Sequence, residues 1–193
     1  APKDGYTLLF AAAPEITMLP AAGRKMPYDS QADLAPVSLV GMVPLVLLVH
    51  PTVPAQSLSE VVALAKAQPG KLNYASFGVA TSNHLAMELF KSRTASEITH
   101  IPYKGGGPAM PDILAGRVQL VFHSVPVVLS AVKEGRLRAI AFTGATRSPL
   151  MPEVPTMTEA GLPEFTAGSW VSLFAPAGTA PAIIERLNRE IAA

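Results

Sequence analysis

The sequence predicts an α/β fold, a mostly parallel sheet flanked by helices. Three observations carry that expectation. Between Lys71 and Thr143, strand-like and helix-like segments alternate without a break, as they do when parallel strands are joined by right-handed crossovers. The connections in that stretch are short and rich in Gly, Ser and Pro, as tight turns between strands and helices require. Hydrophobic residues make up 49% of the chain and charged residues 15%, a core-forming balance and not that of a disordered chain.

Taken in order, Asp4-Gly5 is a turn signal, and the apolar run Tyr6 to Ala13 suits a buried strand. Pro20, Gly23 and Pro27 punctuate residues 14 to 34, which read as irregular. Val37 to Val49 is a second apolar, partly β-branched segment. Pro44 removes a ladder donor from it, leaving either two strands or one that crosses between lobes. Ser57-Leu-Ser-Glu60 is a capping box opening a helix with Leu58, Val61, Val62 and Ala65 on one face, closed by Gly70. A strand over 71–76 leads to a helix over 82–91, with Leu85, Leu89 and Phe90 expected to face inward. A strand over 97–101 leads through Lys104-Gly-Gly-Gly107 to a helix with Pro108 near its first turn. The strand 118–122, the helix 126–133 and the strand 137–143 complete the alternation. A Pro-rich connector, 148–161, precedes a long strand around Trp170, and a helix over 181–191 carries Ile183, Ile184, Leu187 and Ile191 on one side.

Composition excludes several function classes. Lys and Arg total 15 against 14 Asp and Glu, with no run of like charge, so the basic stripe of a nucleic-acid binder is absent. No cysteine is present, which removes thiol catalysis, cysteine metal sites and disulfides. Lys104-Gly-Gly-Gly lacks the order of a phosphate-binding P-loop, and Ser76 lacks the G-x-S-x-G elbow of a hydrolase. His50, His84, His100 and His123 show no metal-ligand spacing. Neither a metal nor a cofactor is expected.

In a parallel sheet, ligands gather at the carboxyl ends of strands, near a switch in strand order. Three loops leave that edge: Ser76 to Ser82, Tyr103 to Gly107, and His123 to Pro126. The first opens a helix, whose unpaired N–H groups and dipole suit a carboxylate or phosphate. The candidate binding residues are Ser76, Gly78, Val79, Thr81, Ser82, His84, Tyr103, Lys104, Gly105, Gly106, His123 and Ser124. His84, in the first turn of its helix, is expected to shape the loop.

Several stretches, in order along all 193 residues, together resemble one family. They are Asp4-Gly-Tyr-Thr-Leu-Leu9, Tyr74-Ala-Ser-Phe-Gly-Val-Ala-Thr-Ser-Asn-His-Leu85, Ile101-Pro-Tyr-Lys-Gly-Gly-Gly-Pro-Ala109, Leu137-Arg-Ala-Ile-Ala-Phe-Thr143, Val154-Pro-Thr-Met-Thr-Glu-Ala-Gly161 and Trp170-Val-Ser-Leu-Phe-Ala-Pro-Ala-Gly178. The chain is similar to the Bug proteins, periplasmic solute-binding receptors of tripartite tricarboxylate transporters. The resemblance implies a two-lobed Venus-flytrap fold of the periplasmic-binding-protein type. Residues 51–166 would form one continuous lobe, and residues 1–50 with 167–193 an incomplete other one, the family's first strand and last elements falling outside the chain. It further implies a receptor and not an enzyme, located in the periplasm, with no signal peptide within the chain. The receptor would capture a small organic acid or amino acid between its lobes and deliver it to integral membrane transporter subunits. Ser76, Gly78, Thr81 and Ser82 fall in the family's carboxylate-holding loop. Where the family commonly has Asp and then a small polar residue, this chain has His123-Ser124. An enzyme acting on a carboxylate with His84 or His123 as base, and a sensor-receptor for signalling, are the alternative readings.

Overall fold

A computed structural model describes residues 1–192. The chain divides into two compact units, one of Ala1–Val43 with the stretch from Ser169 on, the other of Pro44–Gly168. The first cut lies seven residues before the expected one at residue 50. The reason is β2 (Leu34–Val49), a single strand whose last part belongs to the second unit's sheet.

In the first unit, β1 (Leu9–Ala12) pairs antiparallel with β7 (Gly168–Pro176), placing Leu9 opposite Phe174 and Ala12 opposite Val171. On its other side β7 neighbours β2. The stretch expected to be irregular is helical where it begins. Pro14–Met18 forms a π-type turn that runs into α1 (Leu19–Ala21). Pro14 and Pro20 stand in the first positions of these pieces, where a missing N–H leaves nothing unsatisfied. The final helix, α6 (Pro181–Ala192), half-buries Ile183, Ile184 and Leu187.

The second unit holds the alternating segment. Its strands are the end of β2, β3 (Asn73–Ser76), β4 (Thr99–Pro102), β5 (Leu120–Ser124) and β6 (Arg138–Phe142). β3 pairs in parallel with β4 and β5, and β2 lies antiparallel between β5 and β6. The spatial order is therefore β4-β3-β5-β2-β6, with four of five strands running the same way. An antiparallel strand from outside the alternation thus separates β5 from β6. Its pairings begin at Leu45 and Val46, just after Pro44, so the missing donor falls outside that ladder.

Both faces of this sheet are covered, which explains the unbroken apolar run Leu45–Val49. Leu45, Leu47 and Val49 face a core with Tyr74, Phe122 and Ile140. Against it pack α2 (Leu58–Ala67), through Leu58, Val61 and Ala65, and α3 (Ser82–Thr94), through Ala86, Met87 and Phe90. Val46 and Leu48 face the opposite core with Ala75 and Val121. That side is covered by α4 (Gly106–Leu114), through Ala109 and Ile113, and α5 (Val125–Lys133), through Val125, Val128 and Ala131.

The phase of α3 differs from expectation. Phe90 is buried, but Leu85 and Leu89 are exposed, and Asn83, Ala86, Met87 and Thr94 complete the buried stripe. A polar seam along the helix accounts for the rotation. Glu88 accepts from the Tyr74 hydroxyl (2.6 Å) and the Lys91 ammonium (2.7 Å), so that side must face the Tyr74 ring and the apolar stripe turns to Met87 and Phe90.

Candidate functional site

Three parallel strands, β4, β3 and β5, end side by side, and each hands the chain to a helix on that same edge. From β3 the chain crosses to β4 through α3 on one face, then to the far side of β3 through α4 on the other. The strand order reverses at β3, so its carboxyl end is a switch point where the two helices diverge and leave a crevice. Ser76 to Ser82 occupies that end.

None of the three helices has its start closed by a side chain. Thr81, Gly105 and Ser124 are the N-cap residues of α3, α4 and α5, and none makes a side-chain cap bond. Contrast α2, where Ser57 accepts from the Glu60 N–H and Glu60 reaches back to the Gln56 N–H at 2.7 Å. Thr81 could cap, but its hydroxyl is turned to the Gly78 carbonyl and the Asn83 amide, both at 2.6 Å. The first N–H groups of three neighbouring helices thus lack helix acceptors at one edge, with three dipoles adding positive potential. Gly78 (φ +138°) and Gly105 (φ +111°) take backbone conformations that L side chains rarely adopt, which shapes the first two of these entries.

The three entries meet. The Phe77 and His123 rings lie 4.6 Å apart, and a Cβ built on Gly106 would sit 3.6 Å from His123 Nε2 and 3.8 Å from the Phe77 ring. The Tyr103 N–H donates to the Ser76 carbonyl at 2.9 Å, tying the first two loops together. Val79 is exposed at the tip of its loop, and Ser82, Gly78, Gly105 and Gly106 are half-buried beside it. Lys104 is exposed.

Several predicted residues have other tasks. Ser76 is fully buried, and its hydroxyl lies 2.6 Å from His100 Nε2, so it braces the loop from below. Tyr103 donates its hydroxyl to Asp112 at 2.7 Å. Burial and that acceptor push its pKa up to about 12, while the bonds from Tyr103 and Arg117 hold the Asp112 carboxyl below its usual range. His84 shapes the loop through Nδ1, which accepts from the Ala80 N–H at 3.3 Å. Ala80 itself is held at φ +64°. His123 and Ser124, expected in a loop, are the last two residues of β5, because α5 begins at once at Val125 with Pro126 preset in its first turn.

His123 is only 8% exposed, and burial pushes its pKa down to about 4, so the ring is neutral near pH 7. The Ser124 N–H donates to Nδ1 at 2.8 Å, which places the ring proton on Nε2. Among the described residues that Nε2–H has no acceptor. Phe77 and His100 were missed by sequence reasoning. Only the position of Phe77, between Ser76 and Gly78, hinted at its part.

A serine hydroxyl on an imidazole nitrogen resembles an activated nucleophile, but Ser76 has no exposure. The His100 ring is stacked on Tyr74 at 4.8 Å and neighbours His84 at 4.5 Å. Burial lowers the pKa of both histidines. With its serine fully buried, this cluster supports the loop and offers no nucleophile at the surface. A cavity of about 410 Å³ elsewhere in the second unit, beside Val62, Lys66 and Arg93, is lined by none of the residues of the three loops.

Residues 1–192 match the model of the tripartite tricarboxylate transporter family receptor. The chain is 44% identical to protein BugT of Bordetella pertussis, over 97% of this chain and 58% of that protein. A Rhodopseudomonas palustris protein solved with adipate superposes with a TM-score of 0.88 at 34% identity, over 100% of this chain and 64% of that one. MatC of the same species, solved with bound malate, gives 0.83 at 31% identity, over 100% and 65%. The chain therefore spans less than two thirds of the length of each. The fold is of the periplasmic-binding-protein class, and the matching family is one of receptors, not of enzymes. The chain belongs to the tripartite tricarboxylate transporter receptor family.

Proposed function

We propose that this chain supplies a carboxylate-holding face of an extracytoplasmic receptor that captures a small organic acid and delivers it to integral membrane transporter subunits. The observation that carries the reading is the edge of the second unit, where three adjacent helix starts lack side-chain caps. Such an edge attracts an anion through backbone N–H groups and dipoles without a buried counter-charge. That suits a receptor, which must release what it binds. Family membership and the adipate- and malate-bound relatives support the acid as ligand. Relatives described as periplasmic support that compartment. The family's name supports the membrane partner.

The test is thermal shift on the full-length protein with a panel of mono-, di- and tricarboxylates. A ligand at about a hundred times its Kd adds about 2.7 kcal/mol, which for this size means a rise on the order of 5 °C or more. No stabilisation by any acid would sink the proposal. Capture of membrane subunits by the immobilised, ligand-loaded receptor tests the delivery step.

A further inference from the structure

The switch-point edge offers donors and apolar surface, and no anion. Within 76–82, 103–107 and 123–126 there is no Asp or Glu. The nearby carboxylates that the structure pairs are engaged elsewhere: Asp112 with Tyr103 and Arg117, Glu88 with Tyr74 and Lys91. The hydroxyls of Ser76 and Thr81 are engaged too. Against these stand two polar groups that have no partner among the described residues, on side chains more than nine-tenths buried. One is the Asn83 amide nitrogen in the first turn of α3, whose oxygen accepts from the Thr81 hydroxyl. The other is the His123 Nε2–H, which faces the first residue of α4 from a ring locked by the Ser124 N–H. Apolar surface lies beside these donors: the Phe77 ring next to His123, and the exposed Val79 and Val127 at the starts of the first and third entries.

Resting on the carboxylate-receptor reading, the geometry points to a ligand class: an unsubstituted aliphatic or aromatic acid, accepted by the His123 Nε2–H and the helix starts, with α-amino acids rejected. An ammonium group brought to this edge meets three positive helix ends and a donor-only imidazole, and finds no carboxylate in the three loops to replace its water. An acid with a hydrocarbon body loses nothing there, because Phe77, Val79 and Val127 meet it with apolar surface. His123 is thus a specificity-determining residue: a neutral donor at a position where a carboxylate would invert the preference.

Calorimetry on the full-length protein at pH 7 decides, with acids paired to amino acids that differ only by the ammonium group. The pairs are succinate with aspartate, glutarate with glutamate, and adipate with 2-aminoadipate. In the tightest-binding pair, the plain diacid should bind about tenfold or more tightly than its amino counterpart. An amino acid binding equally or better overturns this inference and leaves the receptor reading standing. If no member of any pair binds, and no acid in the wider panel stabilises the protein, both fall. His123→Leu, with its fold checked by circular dichroism, should lose about tenfold for the diacid, and His123→Gln, which keeps a neutral N–H donor, should keep most of the affinity. A folded Leu variant that binds like the parent, or a folded Gln variant that binds no better than Leu, removes His123 from the recognition. Should the Leu variant not fold, the paired comparison in the parent protein and the Gln variant still decide.

Discussion

His123 couples the candidate site to acid stability, and the size of the effect can be worked out. Its pKa in the fold is depressed to about 4 from an ordinary 6.5, because burial disfavours the imidazolium. The ring is 8% exposed, so little of this is screened by solvent. The difference of about 2.5 units corresponds to about 3 kcal/mol. Because the folded value is the lower one, the unfolded chain takes up the proton first as pH falls. The contribution is complete above pH 6.5, is lost through the interval down to about pH 4, and then levels off. Against a typical total of about 5–15 kcal/mol this is a large share. Urea unfolding followed by circular dichroism, stepped from pH 7 to pH 4 on the parent and on His123→Gln, isolates the effect. His84 and His100, also lowered by burial, and the lowered carboxylates Glu88, Asp112 and Glu159 are common to both proteins. Their contributions cancel in the difference. The parent should lose about 3 kcal/mol more than the variant across that interval. A difference that stays flat with pH would refute the claim that His123 is held neutral by its surroundings.

Gly106→Ala separates fold from site. Its Cβ would make ordinary contacts with His123 and Phe77 on an ordinary helical backbone, so thermal stability should hold or rise by up to about 0.5 kcal/mol. The methyl group would occupy the point where the three entries meet, and acid binding by the full-length protein should fall by about tenfold. Ala95, which ends α3 at φ +51°, should gain about 1 kcal/mol as Ala95→Gly, read by urea midpoint, because glycine takes the left-handed conformation without a Cβ clash. Ser57→Ala should cost α2 about 1 kcal/mol in the same assay, through loss of its cap.

Much of this was legible in the chain because it depends on local chemistry. Ser57 caps α2 as written, with Glu60 reaching back one residue further than a capping box requires, to the Gln56 N–H, and the run Leu45–Val49 is apolar throughout because it is buried on both faces. What escaped was set by distant partners. Nothing near Leu45 says that it pairs with β5 and β6, more than seventy residues away, so the antiparallel strand inside the alternation could not be read. The turn of α3 is fixed by Tyr74 reaching Glu88, a contact between elements that periodicity within one helix does not register. His123 was seen as a site residue but placed in a loop, because an apolar run ending in a polar pair looks finished at Phe122. In fact Ser124 still pairs with Leu45 and the helix begins at the next residue.

The bonds that were not made say most about the site. Thr81 and Ser124 are residues that normally close a helix start, and both stand at N-cap positions without doing so. At α2, which does not start on this edge, the same kind of residue closes its helix in the ordinary way. If the uncapped starts were only weak local sequence, they would be scattered, and polar side chains nearby would turn to fill them. Instead they fall on three adjacent strand ends, and three of the hydroxyls nearby are directed elsewhere: Thr81 to the Gly78 carbonyl, Ser76 to His100, Tyr103 to Asp112. The Thr81 and Tyr103 bonds keep those oxygens from the backbone N–H groups, and Ser76 accepts only from the Gly78 N–H at 3.4 Å, within the loop and not at a helix start. A donor array left open at some expense of local stability is what a reversible anion site requires, and the neutral His123 above it adds one more donor without adding charge.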